Sequence, residues 1–72
     1  MTPDQHITEF PRVELRITRW NGDDYVQTYP LTVEGEQDAR LDRAMELGIY
    51  GAKEARIFRV TTNSETEVVI TR

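Results

Sequence analysis

The 72-residue sequence predicts an α+β fold of order ββαββ: a four-stranded antiparallel sheet with one helix packed on one face. Three observations carry this reading. Val13, Leu15 and Ile17 alternate with Glu14, Arg16 and Thr18, which is the period of a strand with one buried face. Two polar turn signals, Asn21-Gly22-Asp23-Asp24 and Asn63-Ser64-Glu65, each lie between apolar runs and mark hairpins. Between those hairpins, "EGEQDARLDRAMELG" has the acidic opening and the closing glycine of a single helix.

Residues 1–9 hold Pro3 and Asp4 and no sustained period, and they are expected to form a flexible amino-terminal arm ahead of a single domain over residues 10–72. The alternating segment from Val13 is the clearest strand. Asn21 and Gly22 tolerate positive φ and permit a tight reversal after it. The second strand is expected over residues 25–33, where aromatic and β-branched residues are dense. Pro30 cannot donate to a ladder and places it at an edge or at a bend. Its facing depends on the loop. A two- or four-residue loop leaves Trp20, Tyr25, Gln27 and Tyr29 on the side away from Ile17. A three-residue, bulged loop puts Tyr25, Tyr29, Leu31 and Val33 behind Leu15 and Ile17 instead. The bulged register is favoured, because Leu31 and Val33 otherwise have no core to join.

The helix is expected over residues 36–47, with acidic residues at the positive end of its dipole and Gly48 closing it in a left-handed conformation. Leu41, Ala44, Met45 and Gly48 fall on one stripe and are expected to face the sheet, with Arg40, Asp42, Arg43 and Glu46 outward or flanking. The third strand is expected over residues 56–61 and the fourth within "TEVVITR". A three-residue reversal at Asn63-Ser64-Glu65 sets Phe58 opposite Ile70 and Val60 opposite Val68, facing the helix, while Ile57 and Val69 point away. There is no internal repeat beyond the two hairpins, and no low-complexity tract.

Length and composition bound the function. A domain of this size hides only about 60% of the surface its unfolded chain exposes, so the core is thin. The sequence has no cysteine, which excludes a disulfide framework and cysteine-based zinc sites. At 38% hydrophobic and 31% charged residues it matches a soluble globular chain, not a disordered or membrane-spanning one. No apolar run approaches the roughly 20 residues of a transmembrane helix, and "MTPDQHITEF" lacks the pattern of a secretory signal, so a cytoplasmic location without a membrane partner is expected. The net charge of −4 disfavours a general phosphate-binding surface.

No catalytic constellation emerges. The lone His6 has no neighbouring partner to position it as a general base. Asn21, Asp23 and Asp24 offer hard oxygen ligands, but the calcium-loop spacing is absent and turn chemistry explains them. Glu34, Glu36 and Asp38 suit a helix start. Ser64 stands in a turn without a nucleophile motif, and Gly48 and Gly51 end a helix without cradling a phosphate. No enzyme activity, catalytic residue, cofactor or metal is expected.

The aromatic and arginine residues say more. If Trp20 shares a face with Arg16, Ile57 and Val69, the side of the sheet away from the helix carries apolar groups interleaved with arginines, and Trp20, Arg16, Ile57, Val69 and Tyr25 form the expected contact set. This mix of apolar groups and arginines is typical of interfaces. The expected function is a small non-enzymatic interaction module, an adaptor or inhibitor, that docks on another protein or on a second copy through that open face. Such a chain suits an accessory protein of a phage or mobile element. The alternative is single-stranded nucleic acid stacking on the same face. The four-stranded RNA-binding modules have two helices and an aromatic signature that are missing here.

Overall fold

A computed structural model describes residues 10–70. The elements run β1 (Arg12–Thr18), β2 (Asp24–Pro30), α1 (Val33–Gly48), β3 (Glu54–Val60) and β4 (Glu65–Val68). The sheet order is β2-β1-β3-β4 and every pairing is antiparallel, with α1 packed on one face. This is the predicted ββαββ architecture. The expectations for the arm and for His6 fall on residues 1–9, outside the described residues. No helix among the described residues is long and apolar enough to cross a membrane.

The first hairpin adopts the bulged, three-residue reversal. Gly22 N donates to Arg19 O at 3.0 Å and Arg19 N donates to Asp23 O at 2.8 Å, leaving Trp20, Asn21 and Gly22 as the loop. Gly22 takes φ +95°, a conformation that disfavours any residue with a Cβ. Asn21 Oδ1 accepts from Asp23 N at 3.0 Å and locks the tip. Ile17 therefore pairs with Tyr25, Leu15 with Gln27 and Val13 with Tyr29, so Tyr25 and Tyr29 lie on the helix side. Leu31 and Val33 do not follow them into the core. Thr32 is the helix N-cap, its Oγ1 accepting from Gly35 N at 2.9 Å, so the helix begins at Val33 rather than at Glu36. Both apolar residues flank the cap, where they stay exposed.

The helix lies on the sheet by a different side from the one its large apolar residues suggest. Gly35, Ala39 and Glu46 are buried, while Leu41 is 65% exposed and Met45 is also exposed. The physical reason is close approach: Gly35 rests against the Pro30 backbone, where a Cβ would overlap the carbonyl oxygen. Flanking polar side chains then tie the helix to the strands. Arg43 Nε donates to Ala55 O at 2.8 Å, and Arg59 pairs with Glu36 at 2.9 Å. Gly48 does not adopt the left-handed conformation; Gly51, at φ +69°, does so instead.

The second hairpin corrects the expected register. Phe58 pairs with Glu67 rather than Ile70, and Val60 pairs with Glu65 rather than Val68, a slip of three residues. An odd slip exchanges the faces of a strand. The cause is the turn chemistry of Thr61, whose N donates to Ser64 O at 2.8 Å and whose Oγ1 accepts from Ser64 N at 3.1 Å. Val68 stays on the helix side as expected, but β3 is turned over: its pairing with β1 sets Ile57 against Leu15 and Ala55 against Ile17, so Ile57 joins the core, and Phe58 and Val60 turn away from the helix. The core is Val13, Leu15, Ile17, Tyr29, Ala39, Ala52, Ala55, Ile57 and Val68, with Leu47 and Ile70 against it.

Candidate interaction surface

The open face of the sheet is built from the alternate residues of each strand: Arg12, Glu14, Arg16 and Thr18 of β1, with Thr28, Phe58 and their neighbours. Arg16 and Arg56 stand directly opposite each other, a pairing of like charges that needs compensation. The acids supply it. Glu14 accepts from Arg12 Nη2 at 2.6 Å and from Arg16 Nε at 3.0 Å. Arg16 also grips Glu65 through two bonds of 2.9 and 3.2 Å, and Arg56 pairs with Glu54 at 3.1 Å and lies 4.0 Å from Glu67. The Arg16 guanidinium is stacked 4.0 Å from the Phe58 ring centroid. The face is thus a ladder of mutually neutralised charges with its aromatic ring covered.

Glu14 is almost fully buried beneath the two arginines. Burial works to raise its pKa, but the hydrogen bonds and charges of Arg12 and Arg16 outweigh it and hold the carboxyl below the ordinary value of 4.5. Glu36 beside Arg59 and Glu65 beside Arg16 are lowered as well. A depressed folded pKa contributes stability that is complete above the unfolded value and is lost as pH falls through the folded one. The melting temperature is therefore expected to decline as pH drops below 4.5, the ordinary glutamate value. In Glu14→Gln that acid decline should be shallower, measured by circular dichroism melts from neutral pH to about pH 3.

A second surface forms where the tip of the first hairpin meets the carboxyl end of α1. Trp20 is 75% exposed on the locked turn, and Tyr25, Met45 and Tyr50, which gather around Arg19, and Ile49, at the end of α1, are exposed as well. Lys53 N donates to Thr18 O at 2.8 Å, which brings its ammonium 5.7 Å from the Trp20 ring centroid. Arg19 spans the gap between hairpin and helix. Its guanidinium lies 5.2 Å from the Tyr25 ring centroid and 3.0 Å from Glu46 Oε1. A recess of about 300 Å³ opens beside it, lined by Arg19, Gln27, Asp42, Met45, Glu46 and Tyr50. At its edge the Tyr29 hydroxyl lies 2.6 Å from Asp42 Oδ2 and 2.8 Å from Gln27 Oε1. Burial, then the bond to Asp42 and the negative charges of Asp42, Asp38 and Glu46, push the Tyr29 pKa far upward. The phenol stays a donor.

The predicted contact residues separate accordingly. Trp20 and Tyr25 come together at the hairpin end, with Tyr25 on the helix side of the sheet. Arg16 lies on the open face inside the charge ladder. Ile57 is 0% exposed in the core, so the expectation that it points outward beside Arg16 is corrected: its pairing with Leu15 of β1 puts it on the helix side. Val69 is exposed beyond the end of β4 and lines a groove that also includes Lys53, the residue stacked near Trp20. Sequence reasoning missed Ile49 and Tyr50. Their signal was available: two large apolar residues in a loop, directly after a helix-ending glycine. Among the described residues no group of three or more His, Cys, Asp or Glu side chains could hold a metal ion. Comparison with protein-family models, curated protein sequences and solved structures finds no match to this chain.

Proposed function

We propose that this chain is a small non-enzymatic protein-interaction module, an adaptor or inhibitor, that docks through the hairpin end rather than through the open sheet face. The observation that carries this reading is Trp20, exposed on a turn closed by its own hydrogen bonds, next in sequence to Arg19, around which exposed Tyr25, Met45 and Tyr50 gather. Isolated exposed apolar residues are ordinary, but a group of them that includes a rigidly mounted tryptophan has the composition of an energetic hot spot. The rim supplies charge through Lys53 and Arg19. The open face has less to offer a partner, since its arginines are already paired with acids.

The nucleic-acid alternative has less support. The one aromatic ring at the middle of the open face, Phe58, is capped by Arg16, whose guanidinium is held by Glu14 and Glu65. A base would have to break those contacts before it could stack.

Trp20→Ala should leave the circular-dichroism spectrum unchanged and reduce capture of the partner from the native host by tenfold or more, the scale of about 1.4 kcal/mol or above expected for a hot-spot tryptophan. Undiminished capture would remove this contact set. The mass of the purified chain by sedimentation, compared between wild type and Trp20→Ala, tells whether the occupant is a second copy.

A further inference from the structure

We propose that Asn21, at the tip of the first hairpin, is a self-modification site: its side-chain amide is lost to attack by the backbone nitrogen of Gly22, and the product unlocks the turn that carries Trp20. Asparagine is a labile side chain, and its lability depends on whether the next backbone nitrogen can reach its Cγ. Here the next residue is a glycine at φ +95°, with open space where a Cβ would stand, and Trp20, Asn21 and Gly22 are all exposed to water. The neighbouring groups lie on the reacting atoms. Asp23 N donates to Asn21 Oδ1 at 3.0 Å, the oxygen on which negative charge gathers when Cγ becomes tetrahedral. Asp23 Oδ2 accepts from Asn21 Nδ2 at 3.2 Å, the nitrogen that leaves. One bond opposes the attack: Gly22 N donates to Arg19 O at 3.0 Å, and it has to open, at the exposed end of the hairpin, before the nitrogen turns on Cγ.

The reaction needs only water and hydroxide. Gly22 N gives its proton to hydroxide and bonds to Asn21 Cγ. The tetrahedral intermediate then breaks its Cγ–Nδ2 bond, and Nδ2 takes a proton from water and departs as ammonia. Water opens the resulting cyclic imide on either side of the Gly22 nitrogen. Cleavage of the N–Cγ bond restores the main chain with a carboxylate at position 21. Cleavage of the bond to the backbone carbonyl carbon leaves the chain running through Cγ, an isoaspartyl link one carbon longer. Both products lose the Nδ2 donor and add a carboxylate beside Asp23 and Asp24. The isoaspartyl product also lengthens a loop that the bond from Arg19 N to Asp23 O holds to three residues.

Asn63, the only other asparagine, is the internal control. It also lies in a turn, but it precedes Ser64, whose Cβ crowds the nitrogen and whose N donates to Thr61 Oγ1 at 3.1 Å. The full, folded chain is incubated at neutral and at mildly alkaline pH beside a free peptide of residues 19–24, then cleaved with trypsin and read by mass spectrometry. The fragment beginning at Trp20 should gain the mass of a hydroxyl in place of an amine, faster at the higher pH and at least tenfold ahead of the fragment carrying Asn63. The modified chain, separated by its added charge, should exchange the Arg19 amide proton at least fivefold faster than the unmodified chain. An amide retained at Asn21 in the folded chain while the free peptide loses its own would mean that the closed turn protects it, and would overturn the inference. Equal gains at Asn21 and Asn63, or unchanged Arg19 exchange in the modified chain, would overturn it as well.

Discussion

Leu15→Ala is expected to leave the domain close to unfolding at room temperature, while Leu41→Ala leaves it almost unchanged. The two leucines look alike in the sequence: the strand alternation argues that Leu15 is buried, and the helical stripe that Leu41 is. In the fold Leu15 is 0% exposed at the centre of the sheet, and Leu41 lies on the outer side of α1. Removing a buried leucine side chain costs about 2–5 kcal/mol, through lost transfer energy and the cavity left behind. A domain of this length has roughly 4–10 kcal/mol in total, and its core, with three alanines among nine residues, has little bulk with which to collapse into a hole. A loss of about 3 kcal/mol would lower the melting temperature by roughly 12–24 °C. An exposed leucine exchanged for the best helix former should change stability by no more than about 0.5 kcal/mol. Thermal melts of the two variants decide it, and equal losses would mean that α1 lies on the sheet by its leucine stripe after all.

Gly35→Ala and Gly48→Ala should shift stability in opposite directions. Alanine normally improves a helix by about 1 kcal/mol over glycine, because it restricts the unfolded chain and covers the backbone. Gly48 meets that condition: it lies within α1, and nothing stands within 4 Å of a Cβ built there. Gly35 does not. A Cβ there would overlap the Pro30 carbonyl oxygen and come to 3.2 Å of Thr32 Oγ1, the helix cap itself. Backbone cannot swing aside as a flexible side chain can. The helix would have to rise from the sheet or surrender its cap, at a cost of about 1–3 kcal/mol or more. Chemical denaturation should place the Gly35→Ala midpoint below wild type and the Gly48→Ala midpoint above it. A gain at both positions would mean that the first turn of α1 stands clear of the strand it leaves.

These two contrasts mark where the sequence could and could not be read. The alternation of β1 exposed its buried face directly, because a central strand under a helix must bury every second residue. The reversal of the first hairpin was legible from Asn21 and Gly22, but its bulged register was favoured for the sake of Leu31 and Val33, which stay exposed; the positive φ that Gly22 adopts is what allows the three-residue loop and so sets Tyr25 and Tyr29 on the helix side. The helix was legible in existence but not in orientation. Hydrophobic periodicity assumes that the largest apolar residues face inward, whereas α1 seats itself through Gly35 and Ala39 and reaches over the strands with Arg43 and Glu36. The same limit applied to β4, whose register follows hydrogen bonds among Thr61, Asn63 and Ser64 rather than any apolar pattern. Nor did the apolar pattern of β3 show its facing, which its pairing with β1 decides, placing Ile57 against Leu15 in the core. Trp20 stayed outside in either register, because a residue at the tip of a hairpin belongs to neither face of the sheet.

The hairpin end and the open sheet face can be set against each other in one experiment: quantitative capture from the native host with wild type, the pair Trp20→Ala/Tyr50→Ala, and the pair Arg56→Ala/Glu67→Ala. All four substituted side chains are exposed, so each double variant should remain folded, verified by its melting curve. The partner enriched by wild type should be retained by the Arg56/Glu67 pair and lost with the Trp20/Tyr50 pair. Retention by the Trp20/Tyr50 pair together with loss from the Arg56/Glu67 pair would place the contact on the charged face of the sheet and contradict the account.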